Sequence, residues 1–200
     1  DQDERLEPWA SYDHVVWLAL DFIKRCPRDP RNGLPWYLQY SCFWTDPLRP
    51  AAWPDNPAGK CAWAVTTLLR YYPYSGDRAF VDIVGDMLDC LIAYHTPAAF
   101  AWGDVPYASA EPGTGIYFGA RADGDFVTEP DKAAQAARAY LDFYELTGQE
   151  VYLAAARRCA DTLVAHLRPA DADHSPWPFR VDVRDGAVVE EYTADIVQMV

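Results

Sequence analysis

Acidic side chains lie beside aromatic rings in the long segments that separate the helical patterns of this sequence. In the segment Ala-Trp-Gly-Asp-Val-Pro-Tyr, Asp104 stands between Trp102 and Tyr107 and has no helix to cap. Cleavage of a glycosidic bond requires one acid that protonates the leaving oxygen and a base or nucleophile opposite it. Asp104 is therefore the first candidate acid.

The other predicted catalytic carboxylates, Asp131, Glu190 and Glu191, lie where a long segment ends and a helix or its approach begins. Each also has a structural interpretation. Glu129 and Asp131, in Thr-Glu-Pro-Asp-Lys, could cap and charge a helix N-terminus, and Glu190 and Glu191 could be a solvated strand end. The sequence gives no carboxylate separation, so inverting and retaining mechanisms stay open.

The predicted substrate-binding residues are aromatic rings that can stack on the C–H face of a sugar, and an arginine that can bind a sugar carboxylate or hydroxyl pair. They are Trp44, Trp102, Tyr107, Trp177, Arg180 and Tyr192. The alternative is that the rings anchor the loops to the core and that Arg180 pairs with one of the many acids. His95 and His174 are weaker candidates for a base.

The elements that must hold these residues form an internal repeat. Residues 60–97 align with residues 132–169 at an offset of 72, without a gap. Lys60 and Lys132 share one position, whose side chains could point into the centre of the array, be solvated or pair with a neighbouring carboxylate. The helical apolar stripe also repeats, with Phe80, Val84, Met87 and Leu91 matching Tyr152, Ala156, Cys159 and Leu163. A self-similar unit of this kind indicates a repeat architecture.

Each unit is predicted to be a helical hairpin, near 59–97 and 131–169, with Gly76 or Gly148 ending its first helix. The predicted helices are 59–72, 77–95, 131–146 and 149–168. Residues 13–24 form a further helix in the second-helix position, and residues 192–200 begin another first helix.

Three long loops, 26–58, 96–130 and 169–191, each join a second helix to the next first helix, so all three emerge at one end of the array. We call this the loop end. Two β-hairpins are predicted there, 179–183 with 187–191 and 117–120 with 125–128. Long ordered loops are usually functional.

Composition excludes several classes of protein. The chain has 200 residues and a formal net charge of −13, which does not suit nucleic-acid or anionic-membrane partners. No phosphate loop, zinc-protease, nucleophilic-serine or dinucleotide motif occurs, so no cofactor or metal is predicted. Five cysteines without a C-x-x-C pair, and no apparent signal peptide, favour a cytoplasmic location.

Tandem hairpins with short inner turns, one-sided long loops, an aromatic rim and the segment Tyr-Glu-Leu-Thr-Gly-Gln-Glu-Val-Tyr-Leu resemble the six-hairpin glycosidase superfamily. This resemblance implies an (α/α)6 toroid whose active site lies in a crater at the loop end. The superfamily includes unsaturated glucuronyl hydrolases, other glycoside hydrolases, and related toroid polysaccharide lyases and epimerases. The matching segments describe the scaffold, so no catalytic residue is carried over.

We therefore expect an all-α fold with small β-hairpins in the loops, and residues 1–200 as one segment of a toroid. A 72-residue period allows fewer than three repeats here, so the rest of the toroid is an expected partner. The expected function is glycoside hydrolysis by paired carboxylates. One alternative is a uronate lyase or epimerase with a base such as Tyr107, Tyr192 or His174. Another is a non-catalytic module that binds glycans or proteins.

Overall fold

The computed structural model describes residues 11–39, 41–45, 49–53, 57–111, 116–117 and 125–191. Most of them are helical, and the two predicted hairpins are present with bounds within a few residues of those expected. The first is α3–α4 and the second is α5–α6. The helices are α1 (Tyr12–Arg25), α2 (Trp36–Gln39), α3 (Pro57–Ser75), α4 (Ala79–Ala93), α5 (Pro130–Thr147) and α6 (Glu150–Ala165).

The first helix of each hairpin ends at a glycine, as predicted. Gly76 and Gly148 have φ angles of 66° and 69°, in the left-handed region that glycine adopts without the clash of a Cβ atom. Their N–H groups donate to the carbonyls of Tyr72 and Tyr144, both at 2.7 Å. These caps end the helices and turn the chain toward α4 and α6.

An aromatic pair at equivalent positions of the repeat stabilises the bend of each hairpin. Tyr71 packs against Phe80 at 5.6 Å and 81°, and Phe143 packs against Tyr152 at 4.8 Å and 72°. The second pair lies 72 residues after the first, and both have the edge-to-face geometry that aromatic rings prefer. The Tyr152 hydroxyl also donates to Asp89 at 2.8 Å, which joins α6 to α4.

The first helices, α3 and α5, pack side by side and run in the same direction. Their first turns meet where Gly59 faces Lys132, and their later turns meet at a groove that includes Leu69 and Leu146. Both helices bury small side chains. They are Ala58, Cys61, Ala62 and Val65 on α3, and Ala133, Ala134, Ala136 and Ala139 on α5.

The core lies between the first and second helices of each hairpin. Its residues include the predicted stripe, since Phe80, Val84, Met87 and Leu91 are all buried, as are their counterparts in α6. Cys61 and Cys159 are buried too, where a free cysteine packs as a small hydrophobic side chain. In the part of the chain that the structure describes, no helix is long and apolar enough to cross a membrane.

The strands lie in the long loops. They are β1 (Ser41–Thr45), β2 (Arg49–Trp53), β3 (Ala110–Glu111), β4 (Ile116–Tyr117), β5 (Val127–Thr128), β6 (Arg180–Asp182) and β7 (Val188–Glu190). Strands β1 and β2 form an antiparallel hairpin that the sequence analysis did not predict. The predicted hairpin around Gly186 is confirmed as β6–β7.

The predicted pairing of 117–120 with 125–128 is wrong for the residues that the structure describes. Tyr117 pairs with Ala110, and Val127 and Thr128 pair with β6. Both β5 side chains are buried, because this strand joins the β6–β7 hairpin in one antiparallel sheet of order β5-β6-β7. The sheet therefore connects the loop before α5 to the loop after α6.

His95 lies at the end of α4 in contact with α5. Its Nε2 atom is 2.8 Å from the hydroxyl of the fully buried Tyr140. Burial, and to a smaller extent the charge of Arg158, lowers the pKa of His95 to about 4. The imidazole is therefore neutral in the folded protein at neutral pH.

This pKa predicts a loss of stability in mild acid. As the pH falls from 6.5 toward 4, the unfolded chain binds a proton at His95 that the folded protein does not, so the free energy of unfolding falls. At pH 4.5 the contribution should be about 2 kcal/mol. Urea unfolding of the parent protein and of His95→Gln at pH 7.5 and pH 4.5 measures it, since the variant should lose less stability. Equal losses in both proteins would contradict this assignment.

Candidate functional site

A cavity of about 850 Å³ opens between the first turns of α3 and α5. Helices α1 and α2 and the start of β6 complete its wall. The residues around it include both apolar side chains and charged groups. They are Ala19, Leu20, Ile23, Tyr37, Leu38, Gly59, Lys60, Trp63, Ala64, Thr67, Leu68, Glu129, Asp131, Lys132, Gln135, Phe179 and Arg180. The cavity thus lies at the loop end.

Equivalent positions of the repeat line this cavity from two neighbouring helices. Because α3 and α5 run side by side in the same direction, residues 72 apart face the same space. The pairs are Gly59 and Asp131, Lys60 and Lys132, and Trp63 and Gln135. Both lysines therefore lie at the cavity, and the carboxylate-pairing alternative also holds for Lys132, which pairs with Asp131.

Trp63 provides the most accessible ring at the cavity. It is 80% exposed, although it lies on a helix whose neighbouring residues Ala62 and Ala64 are buried. Tyr37 and Phe179 also contribute to the wall. Trp63 is not among the binding residues predicted from the sequence, because a tryptophan inside a helical pattern suggests core packing. Its repeat counterpart, the polar Gln135, is the signal that this position faces away from the core.

Arg180 joins two glutamates at one edge of the cavity. Its Nε atom is 2.9 Å from Glu129 Oε1, and its Nη1 atom is 3.0 Å from Glu190 Oε2. The guanidinium also lies over the Phe179 ring, 4.4 Å from the ring centroid. Glu129 is only 4% exposed and stands at the N-cap position of α5, where the helix dipole and the arginine both favour a negative charge.

Asp131 is the most deeply buried carboxylate at the cavity. It is 1% exposed, in the first turn of α5, and Lys132 Nζ lies 2.8 Å from its Oδ2 atom. Among the described residues, no donor reaches either carboxylate oxygen with hydrogen-bond geometry. The contact with Lys132 is therefore a charge pair rather than a well-directed hydrogen bond.

The other predicted catalytic residues lie outside the cavity or, in the case of Glu190, at its edge. Asp104 packs against α6, where Arg158 Nε is 3.5 Å from its carboxylate and Cys159 Sγ is 3.5 Å from its carbonyl oxygen. Its φ of 60° is unusual for a non-glycine residue. Glu191 pairs with Arg168. Neither Asp104 nor Glu191 lines the cavity, so the structure does not bring the four predicted carboxylates together.

Three of the predicted substrate-binding rings are buried, as in the loop-anchoring alternative. Trp102 stacks on His166 with 4.2 Å between ring centroids, and Trp177 Nε1 donates to the carbonyl of Leu163 at 2.7 Å. Tyr107 is buried as well, which raises the pKa of its hydroxyl. Their rings present almost no surface to a ligand in this structure. Tyr192 and the side chain of Trp44 lie outside the described residues.

The cavity offers amine and guanidinium donors, buried carboxylates and an exposed ring. Such a wall can stack on one face of a flat or ring-shaped ligand and donate hydrogen bonds to its oxygens. Within the described ranges, no group of three or more His, Cys, Asp or Glu side chains is arranged to hold a metal ion.

Comparison with solved structures identifies the fold. The chain is similar to cellobiose 2-epimerase from Spirochaeta thermophila DSM 6192 (TM-score 0.59, 16% identity, 90% of this chain and 39% of that chain). It is also similar to a sugar epimerase from a ruminal bacterium (TM-score 0.60, 14% identity, 82% of this chain and 37% of that chain). A third similar structure is a D-mannose isomerase (TM-score 0.55, 16% identity, 74% of this chain and 35% of that chain). No protein-family model matches the sequence, and no curated protein matches it significantly.

These neighbours have the six-hairpin, (α/α)6 toroid fold, so the described helices have the fold of part of such a toroid. The expected fold class is thereby confirmed. The chain spans less than two fifths of the length of each of these neighbours. Identities of 14–16% establish the fold alone.

Because the Arg180–Glu129 ion pair at the cavity is buried, we expect substitution of Arg180 to cost more stability than substitution of an exposed arginine. Arg180→Gln should lower the free energy of unfolding by about 2–3 kcal/mol, because Glu129 stays buried without the guanidinium. Arg138→Gln, which removes an exposed pair with Asp142 on α5, should cost about 0.5 kcal/mol or less. Urea unfolding at neutral pH measures both. Similar small losses in the two variants would show that the Arg180–Glu129 pair is not a buried structural contact.

Proposed function

We propose that the protein is a carbohydrate-active enzyme and that the cavity between α1, α3 and α5 binds the sugar. The observation that carries this proposal is the exposed Trp63 ring beside Lys60 and Lys132, on neighbouring first helices at the loop end. The sugar-processing names of the fold neighbours support it. The cavity volume lies within the range typical of small-ligand sites.

The wall supplies what recognition of a sugar requires. The Trp63 ring can stack on the C–H face of the sugar ring, while ammonium and guanidinium groups donate hydrogen bonds to its oxygens. Arg180 is already held in one orientation by Glu129 and Glu190, so little side-chain entropy is lost when it binds a ligand.

Of the reaction classes, we favour epimerisation or isomerisation of a sugar over hydrolysis. Hydrolysis needs carboxyl groups on opposite sides of the scissile bond. The described carboxylates at the cavity, Glu129 and Asp131, lie two residues apart at the start of α5 and are both engaged in ion pairs. The names of the neighbours, two epimerases and an isomerase, also favour this class. Hydrolysis remains the second candidate, because the cavity edge also carries Glu190.

One incubation distinguishes these classes. The full protein is mixed with cellobiose, D-mannose or D-glucose in D₂O, and the products are analysed by NMR, reducing-end assay and near-ultraviolet absorbance. A new epimer or isomer that carries solvent deuterium supports the proposal, since removal and return of a proton exchanges it. Release of new reducing ends from cellobiose indicates a hydrolase, and ultraviolet absorbance after a parallel incubation with a uronate-containing oligosaccharide indicates a lyase. Binding without conversion indicates a binding module, and absence of binding and conversion overturns the proposal.

Trp63→Ala should weaken sugar binding about tenfold, because stacking on an aromatic ring contributes about 1–1.5 kcal/mol. Its stability should barely change, since the ring is mostly exposed. The matched control is Trp17→Ala on α1, which removes a half-exposed ring that does not line the cavity. Isothermal titration with the sugar that is bound or converted measures both variants. Unchanged affinity in Trp63→Ala, or equal losses in both variants, would place the sugar elsewhere.

A further inference from the structure

We propose that Lys132 is one of the cations that contact the sugar in this cavity, and that Asp131 and Gly59 position it there. The inference rests on the proposed function, because it assumes that the cavity holds a sugar. It also changes the role of Asp131, from the catalytic acid or base expected from the sequence to a positioning residue.

Asp131 and Lys132 differ in their burial, and this difference indicates which of them can contact a ligand. Both carboxylate oxygens of Asp131 are buried, so a ligand in the cavity cannot reach them. The Lys132 side chain is 22% exposed and lines the cavity, with its Nζ atom 2.8 Å from Asp131 Oδ2. An ammonium carries three N–H groups, so it can bind a buried carboxylate and a ligand oxygen together. Asp131 therefore acts on a ligand only through Lys132.

Gly59 makes room for the lysine. A Cβ atom at position 59 would lie 2.9 Å from Lys132 Cδ and 3.3 Å from Lys132 Cε. The aliphatic part of Lys132 thus crosses the first turn of α3 through the space that a side chain would fill. Gly59 and Asp131 occupy the same position of the 72-residue repeat. On α3 this position leaves room for the Lys132 side chain, and on α5 it provides the carboxylate that pairs with Lys132.

The charges of this wall favour a neutral sugar. Asp131 offsets the charge of Lys132, and Glu129 and Glu190 surround Arg180. With Lys60 included, the described charges at this wall are three cations and three acids, so no excess of positive charge favours a uronate carboxylate, whereas hydroxyl and carbonyl oxygens need only a donor. We therefore infer that the substrate class is a neutral aldose or disaccharide rather than a uronate.

The first test changes the position of Lys132 without removing a polar group. Gly59→Ala should weaken binding of cellobiose or D-mannose at least fivefold, because the new methyl group displaces the lysine stem. The matched control is Gly85→Ala on α4, where the nearest atom to an added Cβ is Phe143 Cζ at 3.5 Å, an ordinary contact. This control should bind as the parent protein does. Thermal unfolding of both variants checks that each is folded.

The second test removes the charge pair as a unit. Asp131→Asn with Lys132→Met removes both charges of this pair together and should weaken binding of the same sugars tenfold or more. This double variant keeps the inference testable if Gly59→Ala does not fold.

A third measurement reports on positioning alone. In Asp131→Asn, the Lys132 amine should react several-fold faster with acetic anhydride, because its Nζ atom is no longer held against a carboxylate oxygen at 2.8 Å. Lys60, followed in the same peptide map, is the internal control and should react at its parent rate. Unchanged reactivity at Lys132 would contradict a positioning role for Asp131.

The outcomes separate the two proposals. If the parent protein binds a neutral sugar and the Gly59 and Asp131/Lys132 variants bind it equally well, this inference is overturned and the proposed function stands. If the parent protein neither binds nor converts a sugar, the proposed function fails and the inference fails with it. Tighter binding of D-glucuronate than of D-glucose would overturn the assignment of a neutral substrate.

Discussion

The close approach of α3 and α5 is the constraint on which the rest of the structure depends. Gly59 lets the first turns of these two helices lie close together, because a Cβ atom there would be 2.9 Å from Lys132 Cδ and 3.2 Å from Gln135 Oε1. A larger residue at this contact would either separate the helices or displace Lys132. Because of this packing, equivalent positions of the repeat face one cavity, and the cationic and aromatic groups are brought together there.

A second connection fixes the acidic side of the cavity. Strand β5 leads directly to Glu129 and pairs with β6, which begins at Arg180. The sheet thus places a glutamate and an arginine that are far apart in the sequence within 2.9 Å of each other. Burial of Glu129 makes this pair dependent on both partners, since an unpaired carboxylate is costly in a dry environment. The hairpins and the sheet together determine the shape of the cavity wall.

The features that could be predicted from the sequence are local or repeated. Gly76 and Gly148 mark helix ends because only their backbone conformation matters there, and the apolar stripe of α4 reflects helical spacing. The 72-residue offset identified the hairpins and the shared position of Lys60 and Lys132. These signals were sufficient for the fold class, which the fold neighbours confirm.

The candidate site was harder to predict, because burial in the loops depends on distant contacts. Trp102 and Trp177 are residues of a type that often forms sugar-binding surfaces. Both instead contact α6 or the residue that follows it, and their rings are buried in the core. Trp63 shows the opposite case, an exposed ring within a helical pattern. The contact between Glu129 and Arg180 depends on the pairing of β5 with β6, which the sequence analysis did not predict.

The central claim is that the sugar lies between α1, α3 and α5. A crystal structure of the protein with bound cellobiose or D-mannose tests it most directly. We expect a sugar ring stacked on Trp63, with one of its oxygens within hydrogen-bond distance of Lys132 Nζ. A sugar bound beside Asp104 and Arg158, with the cavity between α3 and α5 empty, would contradict it.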